Sequence, residues 1–155
     1  MRTLAEPAVE LVSRFEIALG PVVEVGQTHA GRRRIVPIVG GRVAGPGLSG
    51  TVDPGGADVQ VIRADGVTEI EARYAITTLD GHHVFVENIG VRHAEPAVTE
   101  RLLRGEFVDP SLVYFRTRAR FETDADGLRW LERGLFIATG ARFPEQVRID
   151  VYRVV

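Results

Sequence analysis

The sequence predicts an all-β protein, a single antiparallel β-barrel of about eight to ten strands with one short helix, spanning residues 1–155 as one domain. Three observations carry that prediction. Seventeen Gly and eight Pro fall between short apolar or alternating runs, the way turns punctuate an all-β chain. Asp-Gly stands twice between alternating runs, at Asp65-Gly66 and Asp80-Gly81, the strongest short-range hairpin signal. The last run, Arg148-Ile149-Asp150-Val151-Tyr152-Arg153, alternates throughout and would be a long exposed edge if unpaired. Full closure removes such edges, which favours a barrel over a sandwich.

The elements follow in chain order. Leu11–Leu19 sets Phe15, Ile17 and Leu19 on one face against Arg14, Glu16 and Ala18 on the other. Ile35–Val39 is a second run, with Pro37 marking an edge, a bulge or a strand start because it lacks the N–H a ladder needs. From Gly40-Gly41 to Gly55-Gly56 the chain is loop-rich with a short strand inside. Asp58–Arg63, the Ala64-Asp65-Gly66 turn and Val67–Thr78 read as a hairpin, and Leu79-Asp80-Gly81 turns again into His83–Ile89. One helix interrupts: Pro96 fits its first position after Glu95, Val98, Leu102 and Leu103 form an apolar stripe, and Gly105 fits the stop. Leu112–Phe121, Leu135–Thr139 and Val147–Val154 complete the strands.

Composition narrows the function classes. The 19 basic residues are all Arg and face 21 carboxylates, for a formal charge of −2. A nucleic-acid binder normally carries a positive excess. The absence of Cys removes disulfides, thiolate metal sites and thiol catalysis. No stretch reaches the roughly 18 apolar residues of a membrane-spanning helix, and Glu6 and Pro7 stand where a signal peptide would need an apolar run. A cytoplasmic protein with no nucleic-acid or membrane partner is the expectation. His29, His82, His83 and His93 have no metal-ligand spacing, so no metal and no cofactor are expected. Without Lys there is no Walker motif, and Ser13, Ser49 and Ser111 lie outside any nucleophile elbow.

Strand alternation sorts the remaining polar groups. Val67–Thr78 places Ile70, Ala72, Tyr74 and Ile76 opposite Glu69, Glu71 and Arg73, and Leu112–Phe121 places Phe115, Thr117 and Ala119 opposite Tyr114, Arg116, Arg118 and Arg120. Val84, Val86 and Asn88 share a face of the strand between them. Two arrangements fit. Either the charged faces meet solvent as weak cross-strand pairs, or some of them line a barrel mouth and orient a mostly apolar ligand. In the second arrangement Glu71 or Asp58 is the general base and Arg116 and Arg73 stabilise an oxyanion as planar donors, while Tyr74, Asn88 and Tyr114 orient the substrate. Arg73 and Tyr74 cannot both face inward on a regular strand, so Glu71 and Arg73 are kept together. Arg33, within Gly31-Arg32-Arg33-Arg34, is either a solvated turn residue or an anion clamp beside the pocket. Trp130, the sole Trp, is a packing residue or a stacking platform.

Gly31-Arg32-Arg33-Arg34-Ile35-Val36-Pro37-Ile38, Gly40-Gly41, Gly45-Pro46 and Gly55-Gly56-Ala57-Asp58 together resemble domain-of-unknown-function family 3237. Asp65-Gly66, Ala72-Arg73-Tyr74, Asn88, Gly90, Tyr114-Phe115-Arg116-Thr117, Phe121-Glu122-Thr123, Trp130-Leu131 and Asp150-Val151-Tyr152-Arg153-Val154 continue the resemblance from about Phe15 to Val155. It implies an oligomeric, single-domain antiparallel β-barrel of bacterial and fungal proteins, and no general reaction. Val59 departs from the Trp usual there, and Glu71 from the usual Asp.

These readings lead to a small-molecule-binding barrel. As an enzyme it would be a cofactor-independent isomerase, cyclase or lyase, using acid–base and electrostatic catalysis on an oxygenated, polyketide-like or aromatic substrate. The alternative is a non-catalytic ligand-binding or self-assembling barrel.

Overall fold

The alternating strands close on themselves in the computed structural model, which describes residues 3–155. Ten strands form: β1 (Val9–Leu19), β2 (Val23–Thr28), β3 (Gly31–Ala44), β4 (Gly50–Val52), β5 (Gly56–Ile62), β6 (Thr68–Thr78), β7 (His83–His93), β8 (Tyr114–Glu122), β9 (Phe136–Arg142) and β10 (Gln146–Val154). Eight of them make a closed antiparallel barrel in the order β1-β10-β9-β8-β7-β6-β5-β3 and back to β1. The short β4 bridges β3 and β6 beside β5. β2 pairs only with β3. The terminal strand β10 is paired on both sides, by β1 and β9, so closure removes the edge that its pattern would otherwise expose.

Pro37 falls in the middle of β3 rather than at an end, because β3 changes partners there. Pairing with β2 ends at Ile35 and pairing with β1 starts at Ile38. The Pro37 carbonyl accepts from Gly20 N in the connection between β1 and β2. Backbone N and O of one residue point to the same side of a strand, so the missing N–H faces a gap in the ladder. Gly41 continues the strand past this point: a Cβ there would stand 2.3 Å from the Glu16 carbonyl oxygen. β2 was not legible in the sequence, since most of its residues are exposed and no apolar face had to be buried.

The helix α1 (Pro96–Leu103) has Pro at its start and Gly105 in the left-handed conformation after its end, as its sequence predicts. It lies at one end of the barrel, where Arg34 donates to the Leu103 carbonyl at 3.4 Å and Leu103 lines a groove together with Leu19 and Arg142. The opposite end is closed by a 3-10 segment, Asp126–Glu132, which buries Leu131. The core between is apolar, with Phe15, Ile76, Val84, Val86, Phe136 and Val151 at 2% exposure or less. No helix among the described residues is long and apolar enough to cross a membrane.

Candidate functional site

The barrel interior changes character along its axis. Towards the closed end it is filled by aromatic packing, Phe121 edge-on to Phe136 and Trp130 against the same ring. Towards the α1 end the inward positions become polar. Asp58 and Gln60 alternate along β5, Tyr74 comes from β6, Asn88 and Arg92 from β7 and Arg142 from the end of β9. All six line one interior cavity of about 30 Å³, with Val36, Ile38, Ile70 and Phe115 as its apolar walls. A space of that size holds a few water molecules or a compact polar head group. Leu19 and Arg142 also line an open groove of about 750 Å³ beside α1, which makes this end the mouth.

Local pairing explains how the Asp58 carboxyl is held. β5 and β6 pair on either side of Val59 and Gln60 but not across them. Across that gap the Glu71 backbone N donates to Asp58 Oδ1 at 3.0 Å, and Gln60 Nε2 donates to Oδ2 at 2.7 Å. Two donors fix both oxygens, yet removal from water outweighs them and raises the Asp58 pKa. Arg92, 4% exposed, stacks over the Phe115 ring at 5.6 Å. Gly140 makes that ring position possible, since a Cβ there would meet Phe115 at 2.7 Å. Burial pulls the Arg92 pKa down to about 10, with Asp58 opposing the shift and Arg142 and Arg34 adding to it. Arg142 is likewise lowered, by burial and by Arg34. Burial pushes the Tyr74 hydroxyl up, with Asp58 adding to it. Gln60 Oε1, Tyr74 Oη and Asn88 Oδ1 are buried without any hydrogen-bond partner. Such atoms are uncommon in a finished core.

Three of the residues singled out in the sequence therefore come together: Asp58, Tyr74 and Asn88. Glu71, Arg73, Arg116, Tyr114, Arg33 and Trp130 stand elsewhere. Glu71 and Arg73 share a face, as alternation requires, but it is the outer one, where Arg73 pairs with Glu71 at 2.8 Å and Glu87 at 3.1 Å. The inward face of β6 is the apolar one, so Tyr74 points in and its neighbour Arg73 out. Arg116 lies outside, over the exposed ring of Tyr114, which itself stacks on His93. Arg33 donates to the Gln60 carbonyl at 3.4 Å and does not line the cavity. Trp130 packs at the closed end under Arg153, away from the cavity.

Gln60, Arg92 and Arg142 were missed. Gln60 lies two residues beyond Asp58 on the same face. Arg92 continues the inward series Val84, Val86, Asn88, and Arg142 continues Phe136, Ala138, but the sequence reading ended those strands at Ile89 and Thr139. Among the described residues no group of three or more His, Asp or Glu side chains could hold a metal ion.

Residues 7–154 match the sequence profile of the family described as "Protein of unknown function (DUF3237)". A UPF0311 protein of Rhodopseudomonas palustris is 46% identical over 150 residues, covering 96% of this chain and 98% of that one. The crystal structure of a conserved protein of unknown function from the same organism superimposes with a TM-score of 0.92 at 43% identity, over 99% of this chain and all of that one. A more distant relative, named a hydroalkoxylation enzyme of Penicillium herquei, is 32% identical over 80 residues, 52% of this chain and 53% of that one. The barrel also matches the crystal structure of an enzyme from Penicillium herquei with a TM-score of 0.75 at 21% identity, over 100% of this chain and 99% of that one; at that identity the likeness is one of fold.

Proposed function

The chain belongs to the DUF3237 family, and on that premise we propose that its barrel interior binds a small oxygenated molecule and moves a proton on it. Asp58 exchanges the proton, Arg92 and Arg142 hold the negative charge that develops, and Gln60, Tyr74 and Asn88 orient the molecule. The observation that carries this reading is the Asp58 carboxyl itself: held at both oxygens, raised in pKa, and set beside the buried Arg92, the half-buried Arg142 and three unpartnered polar atoms. A carboxyl whose pKa rises toward the working pH is suited to both giving and accepting a proton.

The name of the Penicillium herquei relative supplies a reaction of this type. Hydroalkoxylation adds an O–H across a C=C bond, so the product is an isomer and no oxidant or reductant is needed. The O–H bond breaks, a C–O bond forms at one alkene carbon, and a proton ends on the other. An electropositive interior suits an alkene conjugated to a carbonyl, where attack by oxygen produces an enolate that guanidinium groups stabilise. Neutral Asp58 protonates the enolate carbon, and its carboxylate recovers the proton of the attacking hydroxyl, which closes the proton balance.

The test is the closure of ortho-hydroxyphenyl vinyl ketone to chromanone in deuterated buffer. The protein has neither Cys nor Lys to trap this electrophile. Wild type is expected to accelerate closure, with one deuteron placed next to the carbonyl, and Asp58→Asn to lose about a hundredfold or more of that acceleration. Equal rates for the two proteins would remove Asp58 from the chemistry. No acceleration by wild type would remove conjugate addition as the reaction.

A further inference from the structure

Among the described residues, the buried guanidinium of Arg92 has no acceptor. Its electrostatic neighbours are Asp58, which attracts it, and Arg142 and Arg34, which repel it; its one close packing partner in the charged sense is the Phe115 ring. Arg142 is similarly half-engaged. One of its terminal nitrogens donates to the carbonyls of Phe143, Pro144 and Gln146, which fixes the guanidinium and leaves Nε and the other terminal nitrogen free. Arg34 is already matched, by Glu24 at 2.6 Å. The cavity thus brings two incompletely paired guanidiniums to one carboxyl, and that carboxyl is itself disfavoured as an anion.

A buried cation without an acceptor is costly to a folded protein. The five donors of a guanidinium are complementary to a planar group with two oxygens. We propose that the site takes its ligand as an anion: a small molecule bearing a carboxylate-type delocalised oxyanion, whose oxygens supply the acceptors that Arg92 and Arg142 lack. This rests on the reading of the cavity as the protein's site and names the class of molecule that enters it. The small cavity receives the charged head, and the body runs past Leu19 and Arg142 into the groove beside α1. Gln60 also lines the cavity; its amide nitrogen is committed to Asp58, and its Oε1 is buried without a partner.

The probe pair is benzoate and benzamide, alike in shape and different in charge, titrated calorimetrically into wild type, Arg92→Met, Arg142→Gln and Asp58→Asn. Benzoate is expected to bind wild type at least about tenfold more tightly than benzamide. Arg92→Met should lose that preference, and Arg142→Gln should weaken benzoate more than benzamide. Equal affinity for the two probes, no binding of either, or benzoate binding undiminished in both Arg variants would overturn the proposal. Asp58→Asn separates this proposal from the proton-transfer reading. Lost turnover with retained benzoate binding supports both. Turnover that survives in Asp58→Asn while benzoate binding still depends on Arg92 overturns proton transfer alone. Asp58-dependent turnover without any benzoate preference overturns the anion alone.

Discussion

The two faces of β6 carry similar chemistry and opposite bookkeeping. Outside, Arg73 has two carboxylates within 3.1 Å, and all three partners reach solvent. Inside, at the polar end of the same sheet, Arg92 is 4% exposed and makes no side-chain hydrogen bond among the described residues, and Tyr74 Oη is buried without a partner. The outer set is denser in charge and complete as it stands. The inner set is sparse and incomplete. Unmet hydrogen-bonding capacity, rather than density of charge, is what distinguishes the inner face of β6 from its outer one.

Variants on the two faces should therefore behave differently. Arg92→Met removes a buried charge that no described residue hydrogen-bonds, so it is expected to be neutral or stabilising in urea unfolding. A large loss of stability would mean that Arg92 is a structural cation already satisfied within the fold, and the contrast between the faces would collapse. Gly140→Ala pushes a methyl into the Phe115 ring beneath Arg92 and is expected to destabilise by about 1–3 kcal/mol, as overpacking does. A variant as stable as wild type would indicate that Phe115 is free to move.

The raised pKa of Asp58 gives a smaller effect with a definite sign. Below the ordinary value of 3.8 the group is protonated in both folded and unfolded chains and contributes no difference. As pH rises above that value the unfolded chain releases its proton first, so this group's contribution to stability falls until the folded carboxyl also ionises. The stability of Asp58→Asn relative to wild type should thus increase as pH rises above 3.8, read from thermal melts at successively higher pH. The fold can accept this substitution: the oxygen of the new side-chain amide keeps the bond from the Glu71 N–H, and Gln60 can turn its own amide to present Oε1 to the new donor. A flat difference would place the carboxyl in contact with bulk water. Least affected should be Glu71→Gln and Arg73→Ala on the outer face, whose melting temperatures are expected to match wild type and whose benzoate binding should be intact.

Most of the framework could be read from the chain. The two Asp-Gly turns, the Pro96 start and Gly105 stop of α1, and the need to pair both edges of β10 follow from local rules and from closure. Alternation also sorted Tyr74 correctly against Arg73. Which side faced in was beyond it, because a barrel surface and a barrel lining can both carry charge in an oligomer. Arg92 and Arg142 were hidden for a more specific reason. Each follows a glycine on the inward face, as Gly90-Val91-Arg92 and Gly140-Ala141-Arg142, and a glycine leaves the two-residue period blank at that step. Both glycines are there because neighbouring strands press close: a Cβ on Gly90 would stand 2.1 Å from the Arg116 carbonyl oxygen, and one on Gly140 would enter the Phe115 ring. The packing that makes room for the arginines also masks them.

The most direct test sets Asp58→Asn beside Glu71→Gln in the chromanone-forming assay, since the two carboxylates come from paired strands and face opposite sides of one barrel wall. Glu71→Gln is expected to cyclise at the wild-type rate with full deuterium incorporation, and Asp58→Asn to fall by about a hundredfold or more while remaining folded. The reverse pattern, with activity lost in Glu71→Gln and kept in Asp58→Asn, would move the chemistry to the outer face and contradict an interior site.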